Sequence, residues 1–208
     1  MLNKILVVST HMDDEVLSCA SFLEKDPGSI VIFYHNNEHP LFDDNVIQQE
    51  NRDLISFLGC KTIISSIRAE NKLDTIPQVD IISEYEDIIC EEKPDIIILP
   101  FPSYNQDHRS IYEAALTALR PHDKMHFVKK VLLSEQPETF GTLRKIDFFK
   151  PNYFQKLDIE RKIKLNKFYK TQLREHRSLD TIRSIAKVRG NQSGYEYAEA
   201  FEVLRWVE

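Results

Sequence analysis

Between positions 10 and 15 the chain reads Thr10-His11-Met12-Asp13-Asp14-Glu15, an imidazole followed closely by three carboxylates. If a strand ends here and a helix begins, His11 and Asp14 stand three apart on one side of the first helical turn, and Asp13 faces a neighbouring side. Two groups then grip a divalent metal while a third stays free to move protons. A second loaded stretch, Pro100-Phe101-Pro102-Ser103-Tyr104-Asn105-Gln106-Asp107-His108, brings another imidazole. Its prolines predict a rigid loop, and a helix starting near Asp107 would carry His108 in its first turn. His11, Asp14 and His108 together form a two-histidine, one-carboxylate set. A catalytic zinc uses three protein ligands and keeps a fourth position for water. Zinc lowers the pKa of that water to about 7, and Asp13 is the carboxylate placed to take its proton. Glu15 reads as a tie that holds the turn. Asp107 reads either as a hydrogen-bonding partner that orients His108 or a pocket neighbour, or as a helix N-cap.

These groups need a scaffold that brings distant segments together. Continuous, branched apolar runs at 5–8, 30–33, 62–64, 96–99 and 128–133 predict strands buried on both faces. Ile47, Leu54, Ile55 and Leu58 fall at helical spacing and stop at Gly59, a C-cap. Ile81, Ile82, Tyr85, Ile88 and Ile89 repeat the pattern before Pro94, and Ile111, Ala115, Ala118 and Leu119 do so before Pro121. Strand and helix in regular succession predict an α/β fold, a mostly parallel sheet with helices on both faces. Ligands of such sheets sit beyond the carboxyl ends of the strands, where strand order reverses. Both loaded stretches fall at such ends. From Gly141 the rhythm changes to a charged helix around 158–176, a polar stretch to Gly194 and a late strand at 197–201. This C-terminal α+β extension is expected to wall the pocket.

Composition narrows the function classes. A chain of 208 residues is read as a single domain, 1–208, large enough to bury a full core without staples. A formal net charge of −6 speaks against a phosphate-backbone binder, so no nucleic-acid partner is expected. Cys19, Cys60 and Cys90 are odd in number with no CxxC spacing, which predicts buried thiols in a reducing compartment. The apolar run after Lys4 is too short for a signal peptide, and no stretch approaches the roughly 20 apolar residues of a membrane span. The expectation is a cytoplasmic protein with a small-molecule substrate; self-association stays open.

The stretch His11-Met12-Asp13-Asp14-Glu15-Val16-Leu17-Ser18-Cys19 resembles the HPDDEVLGCG signature of the PIG-L/LmbE-like zinc-dependent N-acetyl sugar deacetylases. Asn105-Gln106-Asp107-His108-Arg109 resembles their HPDHR motif, and 50–59, 93–95, 149–152, 167–176 and 190–201 also look like family positions. The resemblance implies a Rossmann-like fold, Zn2+ on His11, Asp14 and His108, and Asp13 as general base. It further implies that the substrate carries the acetamido group of an N-acetylglucosamine-type sugar or conjugate. Two residues depart from the pattern. Met12 stands for a proline, and Asn105 stands where the family histidine assists the tetrahedral intermediate. An amide donates a hydrogen bond to an oxyanion but carries no proton, so the leaving amine is protonated by Asp13 or another group.

His176 has two readings, a proton carrier reaching over the pocket or a histidine favourable to a helix end. His122 and His126 have i,i+4 spacing without an HExxH context, so a solvated loop is expected. His35 and His39 follow the second strand and would rim the pocket; Arg68, Tyr104, Arg189 and Tyr195 are candidates to hold sugar hydroxyls or a phosphate. Three other functions compete. An amidase of a non-sugar conjugate would keep the metal set and fail on acetamido sugars. A metal-retaining pseudoenzyme, suggested by Asn105, would bind and turn nothing over. A nucleotide-binding domain is disfavoured because no GxGxxG follows the first strand. The same donors also suit iron(II), cobalt(II) or manganese(II).

Overall fold

A computed structural model describes residues 3–36, 43–67, 72–122, 125–137, 148–174 and 177–208. The strands are β1 (Ile5–His11), β2 (Ile30–Asn36), β3 (Lys61–Ile64), β4 (Ile96–Pro100), β5 (Lys130–Ser134), β6 (Tyr153–Lys156) and β7 (Ala198–Trp206). They form one seven-stranded sheet in the order β3-β2-β1-β4-β5-β7-β6. The first five are mutually parallel, and β7 is antiparallel to both β5 and β6. This is the mostly parallel sheet that the branched runs predicted, in the Rossmann-like form that the family resemblance implied.

Alternation along each strand sends side chains to opposite faces, and both faces are buried. Ile5 and Val7 of β1, Ile30 and Ile32 of β2, and Ile96 and Ile98 of β4 pack in one apolar cluster; Leu6, Val8, Val31, Phe33, Ile97 and Leu99 pack in the other. Helices α1 (Asp14–Ser18), α2 (Ala20–Leu23), α3 (Asp44–Leu58), α6 (Ile159–Asn166) and α7 (Leu179–Ser193) supply residues to the first cluster. Helices α4 (Gln78–Glu92) and α5 (Gln106–Ala118) cover the second. Local signals set the helix ends: Asp43 caps α3 through a hydrogen bond from the Asn45 N–H, and Gly59 ends it at φ 69°, a left-handed conformation glycine adopts without strain.

The C-terminal third departs from the sequence expectation. The charged helix is α6 alone, capped by Asp158 and followed by a short 3-10 turn at Lys170–Gln172. The stretch read as polar is the fifteen-residue α7, started by Ser178. Edge strand β6, which the sequence reading lacks, pairs with β7.

Candidate metal centre

From β1 the order runs outward through β2 and β3, then returns to place β4 on the other side of β1. The reversal opens a crevice beyond the carboxyl ends of β1 and β4. His11 is the last residue of β1, and the loop after β4 leads into α5, whose second and third residues are Asp107 and His108. One correction follows for the first motif. His11 pairs with Asn36 in the sheet rather than entering a helix, so the strand-to-helix turn, and not helical i,i+3 spacing, brings it to Asp14.

Among the described residues, His11, Asp14 and His108 form the one cluster of donor side chains able to hold a metal, with their ligand atoms within 4.8 Å of one another. His11 Nδ1 lies 3.2 Å from His108 Nε2. Asp14 Oδ2 lies 3.5 Å from the first nitrogen and 3.2 Å from the second. A tetrahedral cation with bonds of about 2.0–2.1 Å sets its donors about 3.3–3.4 Å apart, which is this triangle. Asp14 Oδ1 is buried with no hydrogen-bond partner, a cost that a cation or its ligands would relieve. The donor set therefore fits a divalent metal. Burial opposes charge on Asp14, yet the His108 and His11 imidazoles hold its carboxyl well below the usual range. Burial likewise opposes charge on His11, but hydrogen bonds to Asp107 and Asp14 outweigh it and lift the imidazole to about 10. The site is thus built to stabilise positive charge.

Asp13 occupies the N-cap position of α1, yet its side chain makes no capping bond. Its backbone sits at φ 137°, a conformation that costs a non-glycine residue on the order of 1–3 kcal/mol. Freed from capping, the carboxylate accepts a 2.8 Å hydrogen bond from Arg177 Nη1. Burial pushes Asp13 up to about 7; Arg177 pulls it down, and Asp14 and Glu15 push it further up. Such a value suits a group that exchanges protons near neutrality. Glu15 ties the turn as expected: its Oε2 accepts from the Asp13 N–H at 3.2 Å and lies 2.8 Å from Ser9 Oγ.

On the α5 side, Asp107 Oδ2 faces His11 Nε2 at 3.3 Å while Oδ1 accepts from the Leu73 N–H at 3.0 Å. Asp107 thus touches the pocket neighbour His11, and the N-cap is Asn105, whose Oδ1 accepts from the Asp107 N–H at 2.8 Å. In the neutral ring that a metal ligand must be, an Nε2–H aimed at Asp107 leaves the His11 Nδ1 lone pair directed toward Asp14 and His108. The opposite nitrogen of His108, Nδ1, lies 3.2 Å from Ser103 Oγ. Sequence reasoning missed Ser103 and Arg177 because one sits in a proline loop and the other between elements, where no periodicity marks a side chain's direction.

The remaining candidates scatter. His176, His39 and Arg68 lie outside the described residues. His126 bonds the Pro94 carbonyl, and Arg189 is engaged by Glu135. Tyr104 and Tyr195 are exposed. His35 is buried with Nε2 2.8 Å from the Tyr85 hydroxyl, so it belongs to the core behind the crevice instead of its rim.

The family model described as "PIG-L: GlcNAc-PI de-N-acetylase" matches residues 6–119, the span from β1 to the end of α5. Among solved structures, the chain is similar to N,N'-diacetylchitobiose deacetylase from Pyrococcus horikoshii, with 18% identity and a TM-score of 0.77 over 98% of this chain and 84% of that one. It is also similar to a zinc-inhibited form of teicoplanin deacetylase Orf2, at 15% identity and a TM-score of 0.72 over 97% and 98%. A third similar structure is GalB, the 4-carboxy-2-hydroxymuconate hydratase of Pseudomonas putida KT2440, at 17% identity and a TM-score of 0.71 over 100% and 99%. At these identities the likeness establishes the fold. Among curated proteins, none matches the chain significantly.

Proposed function

The chain belongs to the GlcNAc-PI de-N-acetylase (PIG-L) family, and from that premise we propose that it is a zinc-dependent hydrolase removing the N-acetyl group from an N-acetylglucosamine-type sugar or sugar conjugate. The carrying observation is the intact triangle of His11, Asp14 and His108 with the buried Asp13 carboxylate beside it. A cation held there supplies Lewis acidity toward water and the amide carbonyl. Asp13 takes a proton as the water oxygen bonds to the carbonyl carbon, then returns it to the nitrogen as the C–N bond breaks, giving acetate and an amine. Arg177 keeps the Asp13 carboxylate aimed, and Asp107 keeps His11 in the tautomer that presents Nδ1. Asn105 holds the start of α5, and with it the placement of His108.

A second reading, hydrolysis of an acetamide on a non-sugar conjugate, takes its support from the variety of chemistry on similar folds, which includes the 4-carboxy-2-hydroxymuconate hydratase GalB beside the deacetylases. No described helix is long and apolar enough to cross a membrane. Metal analysis coupled to acetate release, on free and nucleotide-linked N-acetylhexosamines alongside non-sugar acetamides, separates these readings. About one zinc per chain and acetate from the sugars is the expected outcome. Release from non-sugars alone would replace the sugar assignment; metal bound with no release from any compound would overturn the hydrolase.

A further inference from the structure

One buried network around Asp13 has no part in the chemistry above. Glu15 is fully buried, and Oε2 of its carboxylate receives the backbone N–H of Asp13, the residue with strained positive φ. The other oxygen, Oε1, accepts a 2.7 Å hydrogen bond from the Tyr169 hydroxyl, and that hydroxyl accepts from Asn51 Nδ2 at 2.8 Å. Tyr169 is itself buried, just after α6, where Asn166 donates to the Val16 carbonyl and so pins the segment to α1. Three separate elements therefore converge on one peptide unit: α3 through Asn51, the end of α6 through Tyr169, and α1 through Glu15. A buried carboxylate needs all its lone pairs engaged, and removal of one donor lets it turn toward another.

We propose that Tyr169 is a positioning residue: by holding Glu15 it fixes the Asp13 backbone in its strained conformation and so aims the Asp13 carboxylate. The inference rests on the reading of Asp13 as the proton-transferring group. Packing alone does not require the hydroxyl, because phenylalanine fills the same volume. An Asp13 carboxylate displaced by a fraction of an ångström loses alignment with its target while the three metal donors, none of which touches Tyr169 in a hydrogen bond, stay in place.

The test is Tyr169→Phe, followed by kcat, KM, zinc affinity by chelator competition, and the backbone amide resonance of Asp13 in the 15N-labelled protein. Expected are a fall in kcat of about ten- to a hundredfold, with KM and zinc affinity within about twofold, and a displaced Asp13 amide signal. An unchanged kcat, an unmoved Asp13 amide, or zinc affinity falling in step with kcat would each overturn the proposal. Should Tyr169→Phe not fold, Asn51→Ala is to give the same kcat-only pattern at smaller size, and its absence there is equally decisive. If the wild-type protein hydrolyses no acetamide, the deacetylase reading fails, while the Asp13 amide shift still decides whether Tyr169 sets that backbone.

Discussion

Replacing Asp107 by asparagine changes one atom and should cost most of the metal affinity. Both carboxylate oxygens of Asp107 are acceptors, one for the Leu73 N–H at 3.0 Å and one for His11 Nε2 at 3.3 Å, and the residue is fully buried. Asparagine has one acceptor and one donor at the same places. Turning its NH2 toward the Leu73 N–H would set two donors against each other in the interior, at a cost of about 1–3 kcal/mol. The oxygen therefore stays with Leu73, and the NH2 faces His11 Nε2. That nitrogen must then accept, so the ring proton moves to Nδ1 and blocks the lone pair directed at Asp14 and His108. Loss of an orienting partner of this kind weakens metal binding about 10- to 100-fold, and the lost negative charge acts in the same direction. Zinc titration against a chelator of known affinity measures the change, with thermal unfolding of the metal-free protein as control. Ser103→Ala, which removes the hydroxyl beside His108 Nδ1, should weaken zinc in the same assay by less, because serine is neutral. Wild-type zinc affinity in Asp107→Asn, with the fold intact, would refute the tautomer argument.

Asp13→Asn should retain zinc and lose turnover by about 10²–10⁴, whereas His108→Ala should lose the metal, both read by metal analysis and acetate release; equal metal loss in both would contradict the division of roles. His35 is pushed from 6.5 down to about 3 by burial, with a lesser contribution from His11. The unfolded chain therefore binds a proton below pH 6.5 that the folded chain refuses until about pH 3, and stability falls as pH drops through that window. Urea unfolding at pH 7 and pH 5 should show about 2 kcal/mol of acid loss from this residue, absent in His35→Gln. Gly190→Ala should destabilise, since a Cβ there would meet the Glu196 carbonyl oxygen at 2.5 Å. Overpacking of roughly 1–3 kcal/mol exceeds the helix-propensity gain of about 1 kcal/mol, and the urea midpoint should fall.

The parallel half of the fold was legible because each strand is buried on both faces and so spells a continuous branched run, as Leu6-Val7-Val8 and Ile96-Ile97-Ile98 do. The donor triangle was legible for a related reason: a doubly wound sheet gathers the ends of β1 and β4, so two motifs almost a hundred residues apart in sequence meet. The C-terminal third was not. Helix α7 buries only Ile182, Ala186 and Gly190, a stripe of mostly small residues one per turn among charged neighbours, too thin for a periodic signal. Strand β6 is a four-residue edge whose positions are all half-buried or exposed, so no alternation marks it. Arg177 and Tyr169 were invisible for the same reason, since turns outside regular elements give a side chain no face to share.

Glu199 of β7 receives the backbone N–H groups of Ala20 and Ser21 at the start of α2, at sequence separations of 179 and 178, and pairs with the buried Lys162, which also donates to the Leu17 carbonyl. A nascent chain that has left the ribosome only as far as α5 already owns all three metal donors but not the carboxylate that seats the helices behind them. The seating of the helices behind the donors is therefore completed only when β7 joins the sheet.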